Sequence, residues 1–316
     1  MASQLKSICD VPGIRVGHAQ NDSAKTGCTV IIPENGAVAG IDIRGSAPGT
    51  REVETLKPVR LVPKIHAVLL TGGSAFGLDA SGGVQQYLEE KGVGFDVGVT
   101  KVPIVPSAVI FDLREGDPKV RPDKEMGYQA AMNAGSEHPK EGRVGVGRGA
   151  TVGKVLGPER CMRGGVGTCC EKIGEDIYLG ALVVVNAFGD VVDPSNSEII
   201  AGAKTASGEF LNSEKYLKEN QIQPFQTPTN TTLGVVATNA KLTKEECIKV
   251  AQMAQDGLSR ATRPAHTPFD GDLIFCLSVG EPSGNVMTLG SVAANLIAEA
   301  IVRGVKIGNQ LKITTP

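Results

Sequence analysis

The chain has 316 residues with 32 Lys+Arg against 34 Asp+Glu, a formal net charge of −2. That balance gives no reason to expect nucleic acid or an anionic membrane as a partner. With 40 Gly, no Trp and 4% aromatics, the composition suits tightly apposed strands and many turns and argues against an aromatic base-stacking surface.

The length allows one large core or two smaller ones. No apolar run reads as long enough to span a bilayer, and Met1 to Asp10 lacks the apolar core of a signal peptide. The seven Cys include no C-x-x-C pair, and Cys28, Cys247 and Cys276 lie in apolar runs. They read as small packed hydrophobes of a reduced, cytoplasmic protein. The four His (His18, His66, His138 and His266) are not at ligand spacing, so no metal and no cofactor is expected.

In chain order, Thr26 to Ile32 and Ala37 to Arg44 read as strands, the second ending in the turn Gly45-Ser46-Ala47-Pro48-Gly49. His66 to Leu70 is a continuous apolar run, the pattern of a strand buried on both faces. It leads through Thr71-Gly72-Gly73-Ser74 into a helix ending near Lys91. The glycine spacing fits neither a dinucleotide fingerprint nor a phosphate loop. The amides at Gly72, Gly73 and Ser74 either serve close helix–strand packing or line a substrate pocket. Val102 to Leu113 is apolar but broken by Pro103 and Pro106, so it reads as an edge strand or an extended wall. A short helix starts around Gly127-Tyr128.

Gly145 to Lys154 looks like a Walker A loop but fails it, because Arg148 stands where the first Gly belongs and Val155 follows the Lys. Lys154 in this glycine-rich, apolar setting is either a solvated surface charge or a functional residue. Leu179 to Asn186 is a strand whose last residue either caps a turn or offers its amide to a reacting carbonyl oxygen.

Gly208 to Asn230 is polar, lacks a clear period and contains Pro224 and Pro228, so it reads as an exposed connection. At Thr231 the character switches to Thr-Thr-Leu-Gly-Val-Val-Ala-Thr, a strand. A Thr in this place is ordinarily a β-former, and Asn230-Thr231-Thr232 also fits a glycosylation sequon. The position also suits an N-terminal nucleophile if the bond before it is cut. The freed amine, with a reference pKa of about 7.7–8.0, can take the proton from its own hydroxyl.

Thr243 to Glu246 is a capping box opening a helix that ends before Arg263-Pro264. Asp270-Gly271-Asp272 precedes the strand Leu273 to Ser278. The two carboxylates either form a turn or orient an amine and a hydroxyl. One helix joins the strands from Thr231 and Leu273, so their starts are expected to lie together. A last helix is expected from about Thr288 to Arg303, ended by Gly304.

The segments VPGIRVGH, TGCTVII, RGSAPGTRE, LTGGSAFGLDA, VPIVPSAVIFDL, GYQAA, GRGATVGK, GALVVVNAFGDVVDP, NTTLGVVATNAKLTK and HTPFDGDLIFCLSVG run in order along nearly the whole chain. Together they resemble the self-processing hydrolases that include β-peptidyl aminopeptidases, L-aminopeptidase/D-esterases and nylon-oligomer hydrolase. The resemblance implies an α/β (α+β) fold, an αββα sandwich of the L-aminopeptidase D-esterase type. It implies one domain, 1–316, cut at Asn230–Thr231 into 1–230 and 231–316, with Thr231 as nucleophile.

It further implies Asp270 and Asp272 as the acidic pair, Asn186 as an oxyanion holder, Lys154 as the basic residue and Tyr128 in the substrate pocket. Relatives often carry Lys where Arg163 stands, which leaves Arg163 as a rival to Lys154. Members act on small peptides or aminoacyl compounds and associate as tetramers of processed halves. Acyl transfer between amines, as in ornithine acetyltransferases, is the alternative chemistry. A ligand-binding protein of the same fold is the alternative outside enzymes.

Overall fold

Two five-stranded sheets lie face to face, each covered on its outer side by a pair of helices. A computed structural model describes residues 7–220 and 230–312. The strands of the sheets are β1 (Ile14–Asn21), β2 (Thr26–Pro33), β3 (Val38–Ile43), β4 (Thr50–Arg51), β5 (Val68–Thr71), β6 (Ser107–Val109), β7 (Gly165–Ile173), β8 (Ile177–Asn186), β9 (Thr231–Thr238) and β10 (Leu273–Ser278). The helices are α1 (Ala80–Glu90), α2 (Lys124–Met132), α3 (Ser213–Asn220), α4 (Lys244–Ala261) and α5 (Val286–Gly308).

The first sheet has the order β1-β2-β5-β6-β4 and the second β7-β8-β9-β10-β3. Each contains one parallel pair, β5 with β6 and β9 with β10; all other neighbours are antiparallel. A parallel neighbour requires a crossover, and α1 and α4 lie in the two connections.

The continuous apolar runs follow from this layering, because both faces of each central strand are buried. In β8, Leu182 and Val184 point into the core between the sheets, together with Leu233, Val235 and Phe275 of the neighbouring strands. Ala181, Val183 and Val185 alternate to the other face and pack under α4 and α5 with Val250, Leu258 and Ile297. A separate apolar layer, including Val30, Leu69, Val84 and Ala131, fills the space between the first sheet and α1 and α2.

Four expectations need correction. The run with two prolines is not an edge: β6 sits between β5 and β4. The prolines precede the ladder, and Pro106 enters it only through its carbonyl, which accepts from the Leu69 N–H. The stretch read as a connection from Gly208 contains α3. The buried Asp190 accepts from the Ser213 N–H at 2.6 Å and the Ser213 hydroxyl at 2.8 Å, and Tyr216 and Leu217 pack on Val155 and Phe188. Pro224 and Pro228 lie outside the described residues.

Gly304 does not end the last helix, which runs on to Gly308. A Cβ at Gly304 would stand 3.0 Å from the Gly165 carbonyl oxygen, so this glycine serves close helix–sheet contact. The same helix is long and apolar enough by composition to cross a membrane, contrary to the sequence reading. Here it is a core helix, with Leu289, Leu296, Ile297 and Ile301 buried.

Candidate active site

Strand pairing assembles the site. In the antiparallel ladder of β8 and β9, Asn186 lies directly opposite Thr231. On the other side, β9 runs parallel to β10, with Leu233 opposite Leu273 and a bridge between Asn230 and Asp270. Thr231 therefore stands between Asn186 and the Asp270-Gly271-Asp272 segment. Asn186, Asn230, Thr231, Asp270 and Asp272 are all at most 5% exposed.

Around the bond that precedes Thr231, the contacts are specific. The Asn230 carbonyl accepts from the Gly271 N–H at 3.0 Å and from the Thr231 hydroxyl. Position 271 has to be glycine: a Cβ there would lie 2.8 Å from both Thr231 Oγ1 and the Ala47 carbonyl oxygen. The turn after β3 clamps this segment, because the Arg44 and Gly45 amides donate to the Asp272 carbonyl and the Ala47 amide to that of Asp270.

The two carboxylates have different duties. Asp272 accepts from the Thr232 N–H at 2.7 Å on one oxygen and from the His266 N–H at 3.0 Å on the other, with His266 Nδ1 3.1 Å from that second oxygen. Asp270 accepts from the Phe188 N–H at 3.3 Å, the Thr267 N–H at 3.0 Å and the Thr267 hydroxyl. Burial, and then the charge of Asp272, push the Asp270 carboxyl up to about 7.

Lys154 approaches from the glycine-rich segment, which is fastened by Gly153 N–H to the Gly189 carbonyl and Lys154 N–H to that of Phe188. Its Nζ donates to the Asn186 side-chain oxygen at 2.8 Å and to the Asn186 carbonyl at 3.0 Å. Burial holds its ammonium well below the ordinary range, at about 8, against the opposing pull of Cys161, Asp270, Glu115 and Asp112. The Asn186 side-chain oxygen also accepts from the Thr151 N–H at 3.0 Å, and its amide donates to the Phe111 carbonyl at 3.3 Å. Arg163 instead pairs with Glu115.

A small cleft with about 40 Å³ of free space opens beside Lys154, lined by Phe111, Asp112, Arg114, Glu115, Thr151, Lys154, Gly157 and Pro158. Asp112 is the buried acid of its wall. It accepts from the Gly73 N–H and the Thr26 hydroxyl, each at 2.7 Å, and burial raises its carboxyl to about 6.

The structure thus brings Thr231, Asn230, Asn186, Lys154, Asp270 and Asp272 together. Gly72, Gly73 and Ser74 stand one layer behind: the Gly73 amide is spent on Asp112 and the Ser74 amide on the Ile110 carbonyl. Tyr128 does not join the cluster. Its hydroxyl donates to Glu90 and its ring meets Tyr87 edge-on, tying α2 to α1. The sequence reading missed Asp112, the one acid in the Val109-to-Leu113 run, and His266, four residues before Asp270. Asp112 finds its partners in distant segments, whereas His266 meets Asp272 six residues on only through the fold-back of the Pro264–Asp272 segment.

The Asp270 carboxyl makes stability pH-dependent. Below pH 3.8 both the folded and the unfolded chain hold its proton. As pH rises to about 7 the unfolded chain loses that proton while the folded one keeps it, so folding loses stability across this window. Each unit of such a shift is worth about 1.4 kcal/mol. An uncleaved variant is expected to lose melting temperature between pH 4 and 7 relative to the same protein carrying Asp270→Asn. Parallel melting curves for the two proteins across that range would remove the assignment.

A model of peptidase family S58 matches residues 6–314. An uncharacterized aminopeptidase of Mycobacterium tuberculosis is 41% identical over 95% of this chain and 94% of its own. A 6-aminohexanoate-oligomer endohydrolase of Paenarthrobacter ureafaciens is 29% identical over 94% of this chain and 85% of its own. Among solved structures, the L-aminopeptidase D-Ala-esterase/amidase of Ochrobactrum anthropi, a variant of the Ntn-hydrolase fold, superposes with a TM-score of 0.72 at 17% identity. That match covers 96% of this chain and 86% of the other. A Burkholderia β-aminopeptidase superposes with a TM-score of 0.67 at 22% identity, over 95% and 86%. The αββα arrangement described above is therefore a shared fold.

Proposed function

The chain belongs to peptidase family S58, and from that premise we propose that this hydrolase is an aminopeptidase/amidase that first cuts itself at Asn230–Thr231. The observation that carries the reading is the placement of Thr231 between Asn186 and Gly271, with the Gly271 N–H already on the carbonyl to be attacked.

In the self-cleavage, Thr231 Oγ1 forms a bond to the Asn230 carbonyl carbon as its proton passes to neutral Lys154. Gly271 N–H donates to the developing oxyanion. One such donor is worth roughly 2.7–4 kcal/mol in a preorganised site. The C–N bond then breaks, the Thr231 nitrogen takes a proton, and the chain is left as an ester on Oγ1. Water hydrolyses the ester, restoring the hydroxyl and leaving 1–230 with a terminal carboxylate. In the processed enzyme the Thr231 amine serves as base for the same hydroxyl. Asp272 and Asp270 orient that terminus, and Asn186, its oxygen held by Lys154, turns its amide from the Phe111 carbonyl to complete the oxyanion site.

The substrates are small peptides or aminoacyl amides and esters. The lining of the cleft beside Lys154 carries both signs of charge, Asp112 and Glu115 with Arg114 and Lys154, which supports a ligand bearing both. The all-thiol cysteine set supports a cytoplasmic setting. On this reading the processed halves assemble into a homotetramer. N-terminal sequencing of the two fragments on a denaturing gel tests the central claim. The smaller should begin Thr-Thr-Leu-Gly, and a different start would move the nucleophile elsewhere.

A further inference from the structure

We infer that His266 is a positioning residue for the nucleophile, acting through Asp272; the inference rests on the reading of Thr231 given above. Asp272 is 1% exposed, and His266 Nδ1 lies 3.1 Å from one of its oxygens. One oxygen of this carboxylate holds the Thr232 N–H, the peptide group that follows the nucleophile. The other takes both the His266 backbone N–H and Nδ1. An ionised carboxylate only accepts, so Nδ1 carries the hydrogen. On the other side of the ring, Nε2 lies 3.3 Å from the Ser259 hydroxyl on α4. A chain of contacts thus runs from α4 through His266 and Asp272 to the first turn of backbone in β9.

The backbone at His266 has φ 54°, a left-handed conformation uncommon outside glycine and reached more easily by Asn, Asp and His. In this conformation the ring and its own N–H converge on one carboxylate oxygen. Without the ring, Asp272 keeps the Thr232 and His266 backbone N–H groups but loses one of the two donors on its second oxygen, and its hold on the strand loosens. The Thr231 hydroxyl would then lose its registration on the Asn230 carbonyl and, after processing, on the substrate.

Two variants separate positioning from packing. His266→Gly accepts the left-handed backbone and removes the ring. His266→Asn tolerates the same backbone and returns a side-chain N–H near the place of Nδ1. The Gly variant should slow self-cleavage and lower kcat on an aminoacyl p-nitroanilide on the order of 10- to 100-fold, the scale of a misplaced reacting group. KM should stay within about twofold, because uniform binding is untouched. His266→Asn should recover most of both rates. Wild-type kcat and cleavage in His266→Gly overturn the inference, as do equal losses in the two variants at matched melting temperatures. Wild-type protein that itself stays uncut overturns the Thr231 reading, and this inference with it.

Discussion

Thr231→Ala is expected to remain a single uncut chain and to hydrolyse nothing. Deleting a nucleophile can cost on the order of 10⁶-fold, so no fragments should form during days of incubation. The fold should survive. A strand-position Thr→Ala change costs about 1 kcal/mol, and the Asn230 carbonyl keeps the Gly271 N–H as donor when the hydroxyl is gone. Circular dichroism and melting curves check that half of the expectation.

The neighbouring threonine supplies the control. Thr232 Oγ1 is buried without a hydrogen-bond partner among the described residues, and an unsatisfied buried hydroxyl costs about 1–3 kcal/mol. Thr232→Val, of the same shape, should therefore process normally and melt no lower than wild type. Cleavage of Thr231→Ala at Asn230, or failure of Thr232→Val to cleave, would place the nucleophile wrongly.

Lys154→Met should slow self-cleavage by about 10²–10⁴-fold, the range of a positioned acid–base group. In the proposed mechanism, an amine held at about 8 by burial is neutral often enough near neutral pH to take the Thr231 proton. The sign follows directly: neutral Lys154 accumulates as pH rises, so self-cleavage of wild type should speed up and level off above about pH 8. In the uncut chain the Thr231 nitrogen is a peptide nitrogen and does not titrate there. The limb consequently reports Lys154 rather than the terminal amine that appears later.

Precursor made by cell-free synthesis at pH 6 and jumped to higher pH would show this limb in wild type and its absence in Lys154→Met. Arg163→Met should retain it, because the guanidinium pairs with Glu115 and does not deprotonate in this range. A limb that persists in Lys154→Met and vanishes in Arg163→Met would reverse the two roles.

What the chain disclosed on its own was local. The strands at Thr231–Thr238 and Leu273–Ser278 and the capping box at Thr243 were legible because runs of β-branched residues and a cap act on their immediate neighbours. The ordered set of motifs disclosed the family and its layered fold. Local signals also misled. Gly304 resembles a helix end until the backbone of Gly165 is seen beside it, and α3 stays hidden in a polar stretch until Asp190 anchors Ser213.

The site itself was a tertiary matter. Asn186 meets Thr231 only because β8 and β9 pair in one register, and a slip of a single residue would turn the side chain to the other face. Asp112 and His266 look like any other acid and histidine until Gly73, Thr26 and Asp272 arrive from distant or folded-back chain. The depressed ammonium of Lys154 and the raised carboxyl of Asp270 arise from desolvation. That is a property of everything packed around a charge, and the residues flanking it in the chain do not contain it.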